Sequence, residues 1–595
     1  MTYQPPLREH RFILRDVLAL DTYGNLPGFA DASLDVVEQI LDEAGKFTSE
    51  VLAPLNAIGD REGCVWRPDN TVTTPAGFKD AYKALVDGGW PSLGSDPEYG
   101  GQGLPGVVGM AFSEMSSSAN MAFSMYPGLT HGAYSAIAVG GSREQKALYL
   151  PKLASGQWGG TMNLTEPQCG TDLGLLRTKA VPAPDGSYRI SGQKIWISGG
   201  EHDLTENIVH LVLARIEGAP GGTRGISLFI VPKFLPDPDG NPGARNTTWC
   251  AGLEEKMGIH GNATCVMSHE EATGWLIGEE NRGLAVMFVM MNEARLGVGL
   301  QGLSQAEAAY QAAAAFARER LQMRSLTGPK NPDGPADPII VHPDIRRMLM
   351  DARAILEAGR AFLFWTALHG DLAHHHPDEA VRQKAEDYMG LMTPVLKGYL
   401  TDRGFAICSD AMQVHGGAGF TESFPVSQYL RDCRITLIYE GTNGIQALDL
   451  VGRKLAANGG RAVMTFFAEI DAFVDANASD ESLTPFVEAL ASAKAQLQDG
   501  TLWLMQNGLA NPDNAGAAST DYMHLFGLTG LAYMWALMAE AANARIAAGD
   551  TDPFYANKLT LGRYFIERLL PDAAAHLAKL KTGAVTMMSY PAEAF

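Results

Sequence analysis

The spacing of apolar residues changes twice along the chain and separates helical regions from a strand-forming region. From about residue 32 to 153 apolar residues recur every three to four positions, which predicts helices on both sides of the turn-rich segment Asp96–Pro105. Between about 159 and 277 the apolar segments are short, β-branched and bounded by glycine or proline, which predicts strands. From Gly283 onward the helical period returns and persists.

The C-terminal half is predicted to consist of long helices. One runs from Leu284 to about Leu321, and two more, at about Asp344–Gly370 and Pro377–Val414, follow a Pro- and Gly-rich loop. The Ala-rich remainder is predicted to be helical, with turns at Asn507–Gly516 and Gly549–Pro553. The pattern therefore predicts a mainly α protein with a β domain.

Four domains follow from these changes of pattern, since 595 residues are too many for one core. We predict an N-terminal helical domain (1–158), a β domain (159–277), a C-terminal helical domain (278–455) and an additional helical domain (456–595).

Charge and composition disfavour several classes of function. The chain is 46% hydrophobic and 19% charged, with a formal net charge of −21 and a pI near 5.1. Such an acidic protein is poorly suited to bind nucleic-acid phosphates or anionic lipid. The final domain is acidic as well, with eight Lys and Arg against 15 Asp and Glu from Ala456 to Phe595.

We expect a cytoplasmic protein without a membrane span. The N-terminus has charges where a signal peptide needs an apolar core. The longest apolar stretch, Leu525–Met538, is interrupted by glycine and is predicted to be a buried helix. The six cysteines form no C-x-x-C pair, which predicts reduced thiols and no zinc site.

The chemistry is concentrated in Gln428–Arg453, where an apolar run ends at one carboxylate. The run Ile435–Tyr439 brings Glu440 onto the turn Gly441–Gly444, and a helical pattern resumes at Ile445. A carboxylate in this position is poorly solvated, which raises its pKa and suits it to accept a proton. A lone glutamate here is more often a helix cap or a solvated turn residue, so the other motifs have to decide.

Two motifs in the strand region suit a flat polar heterocycle. The loop Thr165–Asp172, T-E-P-Q-C-G-T-D, offers hydroxyl and backbone N–H groups, although an ordinary turn would look the same. In the strand Ser191–Gly200, Trp196 and Ser198 lie on one side, where they can cover a ring and bond to it. The alternative for the tryptophan is a plain core position.

Two further motifs lie at predicted helix ends. The cations of Arg318–Arg324 balance a helix dipole or, through Arg320, pair with a pyrophosphate. In Gln413–Phe420 the glycines exceed what a helix cap needs and indicate close approach to a ligand. His415 is expected to satisfy helix carbonyls, and His374–His376 to be solvated, with no metal bound.

A series of motifs in one order resembles the acyl-CoA dehydrogenase family of flavoenzymes over about residues 30 to 455. They are P-E-Y-G-G-Q-G, T-E-P-Q-C-G-T-D, G-Q-K-I-W-I-S, K-M-G-I-H-G-N-A-T-C, E-R-L-Q-M-R and Q-V-H-G-G-A-G-F leading to Y-E-G-T-N-G-I-Q. The resemblance implies that the β domain is barrel-like and that the C-terminal helical domain is a four-helix bundle. It also implies FAD and at least a homodimer, because the family shares its FAD site between subunits.

The resemblance assigns FAD contacts residue by residue. The flavin ring would contact a flavin-side group, which consists of Met162, Leu164, Thr165, Thr171, Trp196 and Ser198. The ADP half, across a subunit interface, would contact an ADP-side group, which consists of Arg320, Gln322, Met323, Gln413, Gly416 and Gly417. Thr442 and Gly444, after the carboxylate, are further FAD contacts.

Glu440 matches the family's catalytic base, which takes the Cα proton of an acyl-CoA thioester while hydride leaves Cβ for the flavin. In the family, a ribityl hydroxyl and the backbone N–H of the base polarise the thioester carbonyl. Some relatives place the base immediately before the arginine that matches Arg295, but Ala294 stands there and cannot act. The family often has Asp where this chain has Asn292. The residues that match substrate contacts are Thr171, Asn292, Arg295 and Gly441.

The additional domain, the opening Y-Q-P-P-L-R-E-H-R-F-I-L and the G-G-W-P-S-L stretch look most like the bacterial 3-(methylthio)propanoyl-CoA dehydrogenases of sulfur-compound breakdown. This implies 3-(methylthio)propanoyl-CoA or another short or medium acyl-CoA as substrate, with electron-transfer flavoprotein as acceptor. The alternatives are a long-chain acyl-CoA dehydrogenase of fatty-acid β-oxidation, an acyl-CoA oxidase, and a DNA-binding alkylation-response relative. The acidic additional domain disfavours the last of these.

Overall fold

The N-terminal region is mainly helical in the structure, a computed structural model that describes residues 3–595. Ser33 caps the second helix by accepting the N–H of Val36. One helix contains a break, because Asn120 has a non-helical backbone there. The helices are α1 (Leu7–Arg11), α2 (Leu34–Phe47), α3 (Ala53–Glu62), α4 (Phe78–Asp87), α5 (Gly106–Gly140) and α6 (Arg143–Ala154).

A short hairpin interrupts this region and corrects the prediction of helices alone. Strands β1 (Val65–Trp66) and β2 (Val72–Thr73) pair antiparallel. Asn70 has φ of 66°, and Asp69 accepts bonds from the backbone and hydroxyl of Thr71. This turn chemistry reverses the chain within a few residues and outweighs the helical period around it.

The middle of the chain forms a mixed sheet, as its β-branched segments predict. Pairing is parallel for β3 with β6 and for β4 with β6, and antiparallel for the others. The pairs β6–β7, β7–β11, β11–β5, β5–β4 and β4–β6 form a closed circuit. The strands are β3 (Trp158–Asn163), β4 (Lys179–Pro182), β5 (Tyr188–Ser198), β6 (Asn207–Ile216), β7 (Ile226–Pro232), β8 (Phe234–Pro236), β9 (Pro242–Arg245), β10 (Thr248–Leu253) and β11 (Thr264–Ile277).

Long helices follow at the predicted positions, and the period of 3.6 residues therefore locates them well. The predicted helices that begin at Leu284, Asp344 and Pro377 correspond to three observed helices of 37, 33 and 37 residues. They are α7 (Gly283–Glu319), α8 (Pro343–His375) and α9 (Glu379–His415), followed by the shorter α10 (Val426–Arg434) and α11 (Asn443–Asp449).

The additional C-terminal region is helical, with one predicted turn misplaced. The turn predicted over Asn507–Gly516 contracts to Asn511, because Pro512 starts a new helix and the glycines on both sides lie within helices. The helices are α12 (Arg461–Asn477), α13 (Thr484–Ala510), α14 (Pro512–Ala547), α15 (Pro553–Arg568), α16 (Asp572–Leu580) and α17 (Val585–Ser589).

Two helices, α7 and α14, meet the length and composition of a membrane span, which is weak evidence for one. The predicted buried stretch Leu525–Met538 lies within α14, which at 36 residues is longer than expected. In its most apolar window 83% of the residues are buried inside the protein, and the corresponding share for α7 is 44%. A core helix of a folded domain has the same composition as a span, and the burial of α14 fits a core helix.

Buried ion pairs connect the N-terminal segment to the helices of the C-terminal half. Lys558 of α15 bonds to Glu9 of α1 and to Glu357 of α8, the latter at 2.6 Å. Arg360 of α8 bonds to Glu114 of α5 at 2.7 Å. Because a buried charge needs a partner, these pairs fix how the first and last helices pack on the rest.

Helix α14 packs closely on α9 where glycines allow it. A Cβ on Gly398 of α9 would lie 2.1 Å from the sulfur of Met523, and a Cβ on Gly527 of α14 would lie 2.4 Å from the Tyr399 ring. The additional domain thus covers residues 398 and 399 of α9 directly.

We predict that Gly527→Ala destabilises the protein by about 1–3 kcal/mol, because the new methyl group overpacks against the Tyr399 ring. Gly516→Ala on the same helix is the control, since its methyl group meets no atom within 4 Å and improves helix propensity. Thermal unfolding measures both. Equal effects of the two substitutions would contradict the close packing.

Candidate active site

The carboxylate singled out by the sequence lies in a strained turn before α11. Glu440 follows the 3-10 turn Ile435–Leu437 and has a left-handed backbone with φ of 59°. Gly441 is left-handed as well, with φ of 86°. A left-handed glutamate costs about 1–2 kcal/mol, so surrounding contacts have to hold the turn.

Three side chains hold this turn by its carbonyl oxygens. Arg295 Nε donates to the Glu440 carbonyl (3.3 Å), and Gln446 Nε2 donates to the carbonyls of Glu440 and Gly441 (3.1 Å each). Lys397 Nζ donates to the Gly441 carbonyl (2.8 Å). The three donors come from α7, α11 and α9, so three helices together position the carboxylate.

The start of α11 is fixed by two polar side chains. Thr442 Oγ1 accepts the N–H of Ile445 (3.4 Å) as the N-cap, which is how this predicted FAD contact is used within the chain. Asn443 Nδ2 donates to Asp402 Oδ1 (2.7 Å), and Asn443 Oδ1 accepts from Lys397 Nζ (2.8 Å). Gly444, the other residue predicted here, is exposed.

The electrostatics suit Glu440 to proton transfer. Burial raises the pKa of Glu440 to about 7, against the opposing effect of the Arg295 and Lys397 cations. Lys397 is fully buried, and burial lowers its pKa to about 8. A carboxylate with a pKa near neutral can accept a proton and release it again at the pH at which the protein works.

An apolar wall lies next to this carboxylate. The break at Asn120 is capped by its own side chain, whose Oδ1 accepts the N–H of Phe123 (3.1 Å). The residues after the break pack around Tyr439, which immediately precedes Glu440. The members of this wall are Met121, Ala122, Met125, Ile259, Ile435 and Tyr439.

A buried ion pair fixes the predicted flavin-side loop to the strand beside it. Glu166 bonds to Lys194 of β5 at 2.8 Å, with 3% and 0% of their side chains exposed. Glu166 also accepts bonds from the backbone N–H groups of Arg177 and Thr178. Although burial opposes ionisation, Lys194 and these donors hold the pKa of Glu166 at about 2. The T-E-P-Q-C-G-T-D loop is therefore held against G-Q-K-I-W-I-S.

The flavin-side group forms a surface that fits a flat ring. Trp196 sits at an irregularity of the β5–β11 pairing, with φ of 61°, and 60% of it is exposed, which excludes the plain core alternative. Thr165 and Ser198 are half-buried, and Thr171 is exposed. An outward-facing indole beside hydroxyl groups matches the face and edge of an isoalloxazine. Met162 and Leu164 are half-buried in the same segment.

The ADP-side group is also assembled within the chain. The Arg320 guanidinium stacks on the Phe316 ring (4.7 Å). The His415 ring also stacks on Phe316 (4.4 Å). Within residues 3–595 no carboxylate pairs with Arg320. A Cβ on Gly416 or Gly417 would meet no atom within 4 Å. A free guanidinium beside open glycine backbone fits a pyrophosphate. Gln322, Met323 and Gln413 are exposed on the same face.

The flavin-side and ADP-side groups lie near opposite ends of α7. Near the start of the helix, Met290 packs against Gly132, and the adjacent Ala133 packs against Gly160 of β3, the strand that leads to the flavin-side loop. Arg320 follows the end of α7, about 45 Å farther along the helix axis. One chain therefore does not bring both groups to the same dinucleotide.

Some of the predicted substrate contacts and histidines lie at the site, and others lie at the protein surface. Arg295 is buried, lies 3.6 Å from Asp449 and donates to the turn at Glu440. Asn292, one helical turn earlier, is exposed. His415 Nδ1 donates to the Ala411 carbonyl (2.7 Å), as a helix-end histidine should. His374 is exposed. Among residues 3–595 no His, Cys, Asp and Glu cluster is placed to bind a metal.

Four models of acyl-CoA dehydrogenase domains match the chain in order. They are the N-terminal domain (35–157), the middle domain (161–272), the C-terminal domain (281–455) and the "Acetyl-CoA dehydrogenase C-terminal like" domain (466–591). The 3-methylmercaptopropionyl-CoA dehydrogenase of Ruegeria pomeroyi is 44% identical, over 98% of both chains. The chain belongs to the acyl-CoA dehydrogenase family. The broad-specificity linear acyl-CoA dehydrogenase FadE5 of Mycobacterium tuberculosis is 35% identical over 96% of both chains.

Solved structures of the family share the fold. An acyl-CoA dehydrogenase of Bacillus anthracis in complex with FAD has a TM-score of 0.74 at 22% identity, covering 92% of this chain and 88% of its own. ACDH-11 of Caenorhabditis elegans in complex with C11-CoA has a TM-score of 0.76 at 19% identity, covering 96% and 93%. A structure described as an electron transferring flavoprotein of Acidaminococcus fermentans is 25% identical, with a TM-score of 0.58, over 71% of this chain and 98% of that one.

Several residues that position the site of this acyl-CoA dehydrogenase were missed by the sequence motifs. Lys397 is a single cation in an apolar helical stretch, and Lys194 directly precedes the apolar run Ile195–Ile197. Charged residues at such positions are rarely buried without a partner, and this was an available signal for both. Gln446 and Asp402 gave no signal, because their roles depend on contacts between distant helices.

We predict that Lys194→Met destabilises the protein by about 3–5 kcal/mol, because it leaves the buried Glu166 carboxylate without its cation. Urea unfolding of Lys194→Met and of the wild type measures this loss of stability. The double variant Glu166→Leu with Lys194→Met should lose less than the sum of the two single variants, since it leaves neither charge buried without its partner. Additive losses in the double variant would contradict the buried-pair interpretation.

Proposed function

We propose that this acyl-CoA dehydrogenase uses Glu440 as the base that removes the Cα proton of its thioester substrate. The observation that supports this proposal is the half-buried, left-handed carboxylate, with a pKa of about 7, next to an apolar wall. A base has to be near the proton it removes and has to be deprotonated at working pH. With a pKa of about 7, Glu440 is partly deprotonated at neutral pH and more fully so above it, and the neighbouring wall suits an acyl chain.

In the proposed reaction, the Cα–H bond breaks toward the Glu440 carboxylate and the electron pair of that bond becomes the new Cα–Cβ double bond. FAD bound at the flavin-side group would supply the acceptor for the hydride that leaves Cβ. Arg295, Lys397 and Gln446 keep the carboxylate in place through the carbonyls of its turn. The Met121 and Met125 side chains, which belong to the apolar wall at Tyr439, would exclude water from an acyl chain bound beside that wall.

For the substrate we propose 3-(methylthio)propanoyl-CoA or another short or medium acyl-CoA. The support is the similarity over nearly the whole chain to the 3-methylmercaptopropionyl-CoA dehydrogenase of Ruegeria pomeroyi. A butyryl-CoA dehydrogenase of Syntrophomonas wolfei, 34% identical over 100% of this chain and 99% of its own, also points to short chains. Electron-transfer flavoprotein is the proposed acceptor. Peroxide release during turnover would favour an acyl-CoA oxidase instead.

We also propose that the active form is at least a homodimer with a shared FAD site. The distance along α7 between the flavin-side and ADP-side groups supports this, because a second copy has to supply the missing group. For the finer architecture we propose a barrel from the closed strand circuit and a four-helix bundle around α7, α8, α9 and α10. The six free thiols fit a reducing, cytoplasmic location.

We predict that Glu440→Gln abolishes reduction of the bound flavin by substrate, because the amide cannot accept the proton. An anaerobic titration with butanoyl-, 3-(methylthio)propanoyl-, octanoyl- and palmitoyl-CoA, followed by flavin absorbance, measures this. A loss of about 10²–10⁴-fold or more is expected for removal of a general base. The fastest thioester identifies the substrate class.

Glu293→Gln is the matched control, since Glu293 is an exposed carboxylate two residues from Arg295 and should leave the reduction rate unchanged. Equal bleaching in wild type and Glu440→Gln would overturn the assignment of the base. Purified protein that binds no flavin would overturn the proposed cofactor.

If the FAD site is shared, Arg320→Ala should lower FAD retention on gel filtration. The thermal unfolding of the FAD-free protein should not change, because Arg320 pairs with no carboxylate of its own chain. Sedimentation of the intact protein should give a dimer or larger assembly. A monomer that retains FAD would contradict the shared site.

A further inference from the structure

The additional C-terminal domain contacts the support of the proposed base through α14. Gly398 and Tyr399 of α9, which Met523 and Gly527 cover, lie next in sequence to Lys397. Lys397 donates to the Gly441 carbonyl, and Gly441 follows Glu440 directly. Only one layer of side chains therefore separates α14 from the turn of the base.

A continuous line of hydrogen bonds crosses this layer. His524 of α14 donates from Nε2 to Asp402 Oδ2 (2.9 Å), and the other oxygen of Asp402 accepts from Asn443 Nδ2 (2.7 Å). Asn443 Oδ1 accepts from Lys397 Nζ (2.8 Å), which also donates to the Gly441 carbonyl (2.8 Å). Asp402 and Asn443 each use separate atoms for their two neighbours, whereas Lys397 donates to both of its neighbours from Nζ.

The groups around His524 do not replace it as a partner of Asp402. His576 is 5.2 Å from His524, ring to ring, and bonds to Asp521 at 2.7 Å. Arg403 Nε is buried without a partner among residues 3–595. A cavity of about 20 Å³ is lined here by His524, His576, Arg403, Tyr399 and Asp572, among others. This volume is room for one water molecule.

We propose that His524 of the additional domain is a positioning residue for Glu440, acting through Asp402, Asn443 and Lys397. The inference rests on the proposed role of Glu440 as base. His524 and Asn443 each bind one oxygen of the Asp402 carboxylate, which fixes its orientation. Asn443 and Lys397 in turn fix the Gly441 carbonyl, and with it the left-handed turn. Losing His524 frees the carboxylate to rotate toward the cavity and loosens the turn.

The test compares His524→Phe with His524→Gln and with Tyr533→Phe in the FAD-loaded full chain. Tyr533→Phe is the matched control, because Tyr533 is also on α14 and donates a half-buried hydrogen bond, to Glu469 at 3.0 Å, away from the line. Steady-state turnover gives kcat and KM for the best thioester, and thermal unfolding gives the stability of each variant.

The expected result is a drop in kcat of about tenfold in His524→Phe, since a small misplacement of a catalytic group costs up to about 10²-fold. KM should change by less than about twofold, as expected for a residue that acts on the chemical step. His524→Gln should recover most of kcat because its amide N–H can still donate to Asp402, and Tyr533→Phe should keep the wild-type kcat.

A cycle with Asp402→Asn makes the test independent of the single variant. The kcat of the double variant His524→Phe with Asp402→Asn should be no lower than that of Asp402→Asn alone, because both changes cut the same line. Equal kcat in His524→Phe and Tyr533→Phe, or independent losses in the cycle, would overturn the proposal. Full turnover in Glu440→Gln would instead overturn the proposed base and leave the His524 result to be explained separately.

Discussion

The structure of the site depends on holding one half-buried carboxylate in a left-handed turn. Glu440 does not adopt this backbone cheaply, and burial opposes its charge. Both costs are offset by hydrogen bonds from Arg295, Lys397 and Gln446 to the turn's carbonyl oxygens, and by the positive charge of the first two. The result is a carboxylate whose pKa lies near neutral and whose position is set by three separate helices.

The other domains can be understood by how they serve this turn. The long helix α7 carries Arg295 to it, and the break in α5 at Asn120 brings an apolar wall beside it. The sheet presents an outward-facing Trp196 on β5, and the Glu166–Lys194 pair fixes the Thr165–Asp172 loop against this strand. The additional domain covers α9 behind Lys397 through α14, so it belongs to the framework of the site as much as to the surface of the protein.

The sequence predicted the helices, the strand region and the order of the motifs well, because hydrophobic period and turn residues act locally. Glu440 was found since its apolar run and glycine turn are contiguous in the chain. The hairpin around Asn70 and the extent of the turn at Asn511 were missed, as both depend on one or two residues within a strong helical pattern. Gln446, Asp402 and His524 were not found because only the packing of distant helices brings them together.

The pH dependence of kcat/KM tests the central claim most directly, since it reports the pKa of the free enzyme's base. Because Glu440 has to be deprotonated to accept the Cα proton, and because its pKa is raised to about 7, activity should fall tenfold per pH unit below that value. Two results would contradict the account. One is a fall in kcat/KM that begins only near the ordinary glutamate pKa of about 4.3. The other is the same fall in Glu440→Asp and in a variant with no carboxylate at position 440.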